Sequence, residues 1–305
     1  MLGVLEGCAV IAVVVLVGYI AARAGVGGPE VSSALNRVAF FVATPALLFG
    51  VLANADLHVV FSSFMLVAVV AAACCALLYV LASRIGFRRP LAETALGAAA
   101  SVYVNSNNMG IPVATYVLHD PSAVAAALVL QAVVVGPVLL GLLELGTRGR
   151  PSFRSLLLQP LRTPIVPAAV LGILVPVLNL HVPDVVAEPI RLIGSASIPI
   201  VLLAFGMSLR GERPLAPGRG RAEVITATVL KSVVMPVVAF LFARLLGLDA
   251  TTTFAVVVVA ALPTGQIVYN YAARYERGTV VARDTVLVTT IAAVPVMVAA
   301  AALLA

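Results

Sequence analysis

Charged residues are scarce in this chain, and their scarcity excludes most soluble folds. Only 10% of the 305 residues are charged, 62% are hydrophobic, and the mean hydropathy is +1.14. A soluble domain carries roughly 25% charged residues because it must cover its surface with polar groups. Lipid must therefore solvate much of this chain. The net charge of +6 does not indicate nucleic acid, because the arginines fall in short connections between apolar segments.

Catalytic and metal-binding residue sets are also missing from the apolar segments. Cys8, Cys74 and Cys75 have no neighbour at metal-ligand spacing, so we interpret them as packing residues rather than a disulfide frame or a zinc site. The three histidines fall at connections, which argues against a histidine proton relay. We see no paired carboxylates, no Ser/His set and no output domain, so we expect no enzyme, no metal site and no cofactor beyond a coupling ion, H+ or Na+.

Ten apolar segments are long enough to cross a bilayer, which takes about 20 helical residues. These predicted spans 1–10 cover residues 3–22, 36–54, 60–83, 91–118, 122–146, 162–180, 187–209, 222–246, 251–273 and 281–304. The first begins without a basic region and carries Glu6, so we interpret it as a permanent helix rather than a cleaved signal peptide. The sequence therefore predicts an all-α integral membrane protein embedded in the lipid bilayer, with no separate soluble domain.

The basic residues alternate between the two sides of the predicted spans. Of the 19, all except Arg191, Arg244 and the mid-span Lys231 lie in or beside the connections 1–2, 3–4, 5–6, 7–8 and 9–10. Cytoplasmic loops carry an excess of Lys and Arg. We therefore predict a multi-pass protein of a bacterial-type inner membrane with both termini facing outward.

Two landmarks repeat along the chain. Pro45 in span 2 and Pro199 in span 7 lie 154 residues apart (199 − 45), and Pro112 in span 4 and Pro263 in span 9 lie 151 apart (263 − 112). A repeat of five spans places the second half upside down relative to the first, as in many secondary transporters. We predict two inverted five-helix repeats, 1–146 and 162–305, joined by a short cytoplasmic linker, 147–161. Coincidence among common membrane-helix prolines is the alternative.

Spans 4 and 9 carry polar, helix-breaking segments. Residues 105–112 read Asn-Ser-Asn-Asn-Met-Gly-Ile-Pro, and residues 262–267 read Leu-Pro-Thr-Gly-Gln-Ile. Buried amides are costly unless paired, and unwound backbone at membrane depth occurs only in cavities or inside protein. Half-helices starting near Pro112 and Pro263 would direct N–H groups at a bound anion. We therefore predict substrate contact for Asn105, Asn107, Asn108, Gly110, Pro112, Pro263 and Gln266; for Asn107 and Asn108 the alternative is that they only cap the helix break.

Three further polar residues lie within spans. Lys231, in span 8, is a functional candidate because an intramembrane cation costs at least ~2.5 kcal/mol; it binds a substrate carboxylate or braces a helix break through backbone carbonyls. Gln131 in span 5 is a second candidate, for which bracing is the favoured alternative to contact. Tyr269, which follows the second break, is the third.

These motifs resemble the auxin efflux carrier family, which includes plant PIN-FORMED carriers and bacterial malonate or malate permease-like proteins. The matching stretches are residues 105–112 and 261–266, continued to residue 275, together with Gln131 and Glu144, and Lys231 ahead of Pro236. The resemblance covers essentially the whole membrane part. The chain lacks the long cytoplasmic loop of the large plant members, so their loop-based phosphorylation control does not apply.

The resemblance implies ten transmembrane helices in which broken helices 4 and 9 cross beside the substrate, with Asn105 at the crossover. It further implies a scaffold of helices 1, 2, 6 and 7, often dimeric, and a transport domain of helices 3–5 and 8–10 that moves by an elevator mechanism. A homodimer is therefore a possible assembly.

The expected function is secondary active transport of a small organic anion, a carboxylate such as malonate, malate or an indole or aromatic acid. The alternative is a sodium-coupled symporter resembling bile-acid carriers, against which the lack of a mid-membrane carboxylate argues. A ligand-sensing membrane receptor is less favoured.

Overall fold

The computed structural model describes residues 2–54, 63–148, 164–209 and 220–304, and these ranges consist of helices, turns and one isolated β-bridge. The all-helical prediction is therefore confirmed for the described residues. Most of the predicted linker 147–161 lies outside them, as do the arginines at 150, 154, 162, 210, 213 and 219.

The described residues form sixteen α-helices and five short π-helical turns. The α-helices are α1 Leu2–Arg23, α2 Pro29–Val38, α3 Thr44–Ala53, α4 Ser63–Ala82, α5 Leu91–Val102, α6 Ile111–Tyr116, α7 Ser122–Leu130, α8 Gly136–Arg148, α9 Ile165–Val177, α10 Asp184–Ser195, α11 Ser197–Ser208, α12 Arg221–Val229, α13 Met235–Leu245, α14 Ala250–Ala261, α15 Ile267–Tyr275 and α16 Thr279–Leu304. The π turns are Ala39–Ala43, Ser83–Phe87, Ser106–Gly110, Gln131–Val135 and Leu230–Val234.

Within the described ranges, six helical stretches are long and apolar enough to cross a membrane. They are Glu30–Ala53, Ser63–Phe87, Ala123–Thr147, Asp184–Ser208, Arg221–Leu245 and Thr279–Leu304. Four further apolar helices are shorter, namely Ala9–Arg23, Leu91–Val102, Ile165–Val177 and Ala250–Ala261. Such a set of apolar helices is that of a multi-pass membrane protein, since backbone groups in lipid must be satisfied within a helix or a closed barrel.

The chain divides into two compact units. Unit 1 comprises residues 1–61, 106–132 and 161–212. In it α1 packs along α11, and α3 packs against α9 and α10. The backbones of α1 and α11 approach closely, because a methyl group added at Gly206 would meet the carbonyl of Val15 and one added at Gly18 would meet the carbonyl of Leu203. Small residues permit this kind of packing where no hydrophobic force from water drives helices together.

Unit 2 comprises residues 62–105, 133–160 and 213–305. In it α5 packs against α4, α8 and α12, while α14 packs against α13 and α16. Helices α5 and α14 each have 12 residues. Both stop abruptly, and the extended segments that follow them meet at the single β-bridge.

The position of the first break differs from the prediction. The chain is extended around Val104 and is helical again from Ser106, so Gly110 and Pro112 lie inside helical backbone rather than at the break. Pro112 is the second residue of α6 and directly follows the π turn that ends at Gly110. The second break includes Pro263 as predicted, but its following helix starts at Ile267.

Candidate functional site

The two broken helices of unit 2 meet at a short antiparallel crossing, here called the crossover and defined as residues 103–105 and 263–265. Val104 bridges Thr264. The Asn105 N–H donates to the Pro263 carbonyl at 2.8 Å, and the Gly265 N–H donates to the Tyr103 carbonyl at 2.8 Å. Backbone groups freed by the two helix breaks thus satisfy one another, which removes the cost of leaving them unpaired in an apolar interior.

Thr264 fixes the crossover to its surroundings through two further bonds. Its hydroxyl donates to the Ala100 carbonyl in the last turn of α5 at 2.6 Å, and its N–H donates to the Thr289 hydroxyl of α16 at 3.0 Å. The side chains of Thr264 and Thr289 are fully buried. Each bond satisfies a group that the helix ends would otherwise leave without a partner.

Gly265 allows the two segments to lie this close together. A methyl group added there would lie 3.1 Å from the Tyr103 ring and 3.2 Å from the Val104 carbonyl oxygen. These distances are tighter than ordinary van der Waals contact, so a larger side chain would require its neighbours to shift. The glycine of the Pro-Thr-Gly sequence therefore suits the close approach of the two segments.

Lys231 lies in the π turn between α12 and α13, and its side chain is 0% exposed. Its ammonium donates to the Ala260 carbonyl, in the last turn of α14, at 2.6 Å. A cation at the carbonyl end of a helix interacts favourably with the helix dipole. Of the two alternatives left open by the sequence, this geometry favours bracing of the second helix break.

The segment after the second break turns back into helix at α15. Gln266 is the N-cap residue of α15 and is half-buried, but its side chain makes no capping bond. Tyr269 is also half-buried, and Asn270 is exposed. Gln266 thus directly follows the crossover and lies at a helix N-terminus.

A second group of polar residues, buried except for the half-buried Asn107, lies in unit 1. The Thr44 hydroxyl donates to Asn107 Oδ1 at 2.8 Å, and the Asn107 amide donates to Asn108 Oδ1 at 2.8 Å. Thr44 Oγ1 and Ser197 Oγ are 2.9 Å apart. Since the single Thr44 proton is used on Asn107, Ser197 is the donor in this pair. We call Ser197, Thr44, Asn107 and Asn108 the amide chain.

Gln131 braces the start of the second half of span 4. Its amide donates to the Ser106 hydroxyl at 2.6 Å and to the Ala127 carbonyl at 3.1 Å. Its carbonyl oxygen Oε1 is buried and has no partner among the described residues. Gly110 and Pro112 are buried in the same half-span. The contacts of Gln131 favour the bracing interpretation.

The predicted site residues therefore fall into two sets. Unit 2 joins Asn105 to Pro263 through backbone hydrogen bonds and places Gln266 and the Lys231 contact on either side of the second break. Unit 1 joins Asn107 to Asn108 through their side chains. Contact of any of these residues with a substrate stays a prediction.

Sequence reasoning missed the hydroxyl residues that hold these groups in place, Thr44, Ser197, Thr264 and Thr289. Threonine and serine are common in membrane helices, so residue type gave no signal. Position gave one for two of them: Thr44 and Ser197 lie 153 residues apart, close to the offset of the repeated prolines beside them. Sequence reasoning also did not single out Glu223 and Asp284, whose side chains are both buried.

A cavity lined partly by charged residues lies at the end of unit 2 formed by the starts of α5, α12 and α16. It has a volume of about 190 Å³, and Tyr79, Arg89, Glu93 and Glu223 contribute to its lining. Arg89 Nε donates to Glu223 Oε1 at 2.7 Å, and Glu93 lies 3.8 Å from the same guanidinium. The hydrogen bond with Glu223 raises the pKa of Arg89, and the pair links α12 to the connection before α5.

Comparison with known proteins places these features in one class. Residues 4–145 and 147–299 match the model of the family described as membrane transport protein. The chain is also similar to an uncharacterized transporter of Methanocaldococcus jannaschii, with 23% identity over 290 residues that cover 92% of each protein. Both matches extend over nearly the whole chain, including the two broken spans.

Proposed function

The chain belongs to the membrane transport protein family, also called the auxin efflux carrier family, and from that premise we propose that this transporter is a secondary active carrier of a small organic anion. The observation that carries the proposal is the crossover in unit 2, where Val104 bridges Thr264. Extended backbone within membrane helices is tolerated only inside protein or beside a cavity. Paired broken helices are the best pointer to a transporter's binding site.

The charge preference follows from which helix ends are already occupied. Side-chain donors bond carbonyl groups in the last turns of α5 and α14, the two helices that end at the crossover. Thr264 donates to the Ala100 carbonyl, and Lys231 donates to the Ala260 carbonyl. The outgoing helix α15 presents its N-terminus with no side-chain cap. The carbonyl ends of α5 and α14, which would repel an anion, are therefore hydrogen-bonded by the protein. The N-terminus of α15, which attracts anions, stays available. We propose a carboxylate substrate such as malonate, malate or an indole or aromatic acid, bound near Asn105 and Gln266.

We propose that the fold consists of ten membrane helices in two inverted five-helix repeats. The six long and four shorter apolar helices supply that number of segments. The hydrogen bond between Thr44 and Ser197 joins residues beside the repeated prolines of spans 2 and 7, and the crossover joins the breaks of spans 4 and 9. Contacts between equivalent positions are what a two-fold relation between repeats produces near its axis.

We further propose that unit 1 contains the scaffold and that unit 2 contains most of an elevator-type transport domain. In support, unit 1 gathers α1–α3 and α9–α11, which belong to spans 1, 2, 6 and 7. The division is imperfect, since α6 and α7 also belong to unit 1. The arginine distribution supports an inner-membrane protein with both termini outward.

Uptake into proteoliposomes tests the proposed function. The purified chain should accumulate radiolabelled malonate, malate or indole acetate under an imposed proton or sodium gradient. We expect Asn105→Ala to lower that uptake by about tenfold or more, because a hydrogen bond to a charged group is worth about 1.5–3 kcal/mol.

The matched control is Asn54→Ala. Asn54 is exposed, and its amide donates to Gly50 within its own helix end, so uptake should remain near the wild-type rate. Unchanged uptake by a folded Asn105→Ala protein would contradict the site. Strict dependence on sodium would instead favour coupling of the bile-acid-carrier type.

A further inference from the structure

The two half-helices that end at the crossover have their terminal carbonyls covered by different kinds of donor. The Thr264 hydroxyl covers the Ala100 carbonyl at 2.6 Å, and the Lys231 ammonium covers the Ala260 carbonyl at 2.6 Å. One donor is neutral and belongs to the crossover itself. The other is a cation from a different helix. The two ends are therefore satisfied equally well but by unlike chemistry.

The two covered carbonyls occupy equivalent positions in the crossover. Its backbone bonds are reciprocal, because Asn105 donates to Pro263 and Gly265 donates to Tyr103. Exchanging the two segments maps each bond onto the other and Val104 onto Thr264. Ala100 and Ala260 each lie four residues before those bridged positions, so the same exchange maps one covered carbonyl onto the other.

The bridged positions differ in the one property that matters for covering a carbonyl. The side chain of Thr264 has a hydroxyl that donates to the Ala100 carbonyl, whereas the side chain of the equivalent Val104 has no hydrogen-bond donor for the Ala260 carbonyl. A buried carbonyl without a partner is unfavourable, and Lys231 supplies the donor.

We propose that Lys231 is a positioning residue that takes the place of the hydroxyl missing at position 104. By holding the carbonyl end of α14, it fixes where the second break begins and so where Asn105 and Gln266 lie. The inference rests on the proposed function, in which these residues meet the anion. Lys231 itself does not contact substrate, because its side chain is 0% exposed and its ammonium is engaged with Ala260.

This role predicts that a neutral donor can replace the cation. Valine and threonine have nearly the same shape, and Val104 is buried, so Val104→Thr should place a hydroxyl toward Ala260 as Thr264 does toward Ala100. We expect Lys231→Met to lower uptake about tenfold or more and to lower the melting temperature in detergent, since it leaves the Ala260 carbonyl uncovered. The double variant Lys231→Met/Val104→Thr should recover most of both losses, with Val104→Thr alone as its reference.

The experiment uses the purified full chain, with uptake of radiolabelled malonate, malate and indole acetate as one readout and thermal unfolding as the other. Recovery of both in the double variant, with the wild-type ratio of dianion to monoanion uptake, supports the proposal. Recovered melting temperature without recovered uptake overturns it, because the charge would then serve the substrate. No recovery of either also overturns it.

Two outcomes keep this inference separate from the proposed function. If Lys231→Met yields no folded protein, recovery of folded protein in the double variant supports the positioning role, and continued failure overturns it. If the wild-type chain transports none of the three acids, the proposed function fails for those anions. The melting temperature of the double variant then still decides whether Lys231 takes the place of the hydroxyl missing at position 104.

Discussion

The crossover in unit 2 and the amide chain in unit 1 solve the same problem by different means. At the crossover the breaks are held by backbone groups, with reciprocal bonds at residues 103–105 and 263–265. In the amide chain, side chains do this work, from Ser197 through Thr44 to Asn107 and Asn108. Backbone bonds survive most substitutions, whereas side-chain bonds depend on residue type. The crossover should therefore be sensitive to side-chain size, and the amide chain to side-chain polarity.

The largest expected effect comes from adding bulk at the crossover. Gly265→Val should lower the rate of uptake about 100-fold, because displacing the groups of a binding site by about 1 Å can cost that much. Overpacking should also destabilise the protein by about 1–3 kcal/mol. Uptake assays and thermal unfolding of the purified variant measure the two effects.

The control for bulk is Gly50→Val in α3, where an added methyl group meets nothing within 4 Å. That variant should retain uptake and melting temperature. If Gly265→Val transported as well as Gly50→Val, the inference that transport depends on the close approach at Gly265 would be contradicted.

A smaller effect is expected from removing polarity in the amide chain. Thr44→Val keeps the shape but leaves Asn107 and Ser197 without a shared partner, which should cost about 1–3 kcal/mol of stability. Uptake should fall several-fold. Thr115→Val is the matched control, since the Thr115 hydroxyl only bonds the Ile111 carbonyl one turn earlier in its own helix. Equal melting temperatures for the two variants would contradict the amide chain.

A third test concerns the ion pair at the end of unit 2. Arg89 is 36% exposed and Glu223 is 7% exposed, so solvent screening limits their coupling to about 1 kcal/mol. In a double-mutant cycle, Arg89→Gln should destabilise the wild-type protein more than it destabilises the Glu223→Gln variant. High salt should reduce the coupling. A coupling of zero at low salt would show that the pair does not link α12 to the connection before α5.

The smallest expected effect is at Asp249, the N-cap of α14. Hydrogen bonds from the Thr252 hydroxyl and N–H lower the pKa of Asp249. Its stabilising contribution is therefore present above the unfolded pKa of about 3.9 and is lost as the pH falls through the lower, folded value. Asp249→Ala should lower the melting temperature slightly at pH 7 and less at low pH, and Asp249→Asn, which keeps a cap oxygen without the charge, should fall between Asp249→Ala and wild type at pH 7. A pH-independent difference would exclude the charge contribution.

The sequence was sufficient to predict what depends on lipid as solvent. Scarce charge and long apolar segments indicated a multi-pass helical protein, and amides beside proline in spans 4 and 9 indicated broken helices. The exact break was not predictable from Pro112, which lies inside helical backbone. What extends the chain at Val104 is its pairing with Thr264, a long-range contact with no local sequence signal.

The role of Lys231 shows a similar limit. The sequence marked it as a buried cation but left substrate contact and bracing open, because the acceptor is a main-chain carbonyl that no residue type reveals. Thr44 and Ser197 were missed for the same reason, since their importance lies in the partner that each one meets. Pairings of this kind follow from tertiary structure rather than from local pattern.

The most direct test of the central claim is substrate protection at the crossover. Gln266→Cys, in a chain whose native cysteines Cys8, Cys74 and Cys75 are replaced by alanine, is labelled with a thiol reagent in proteoliposomes that retain uptake. The transported anion should slow labelling at this position while leaving Asn54→Cys labelling unchanged. Identical labelling rates with and without a saturating concentration of that anion would contradict the placement of its binding site beside the crossover.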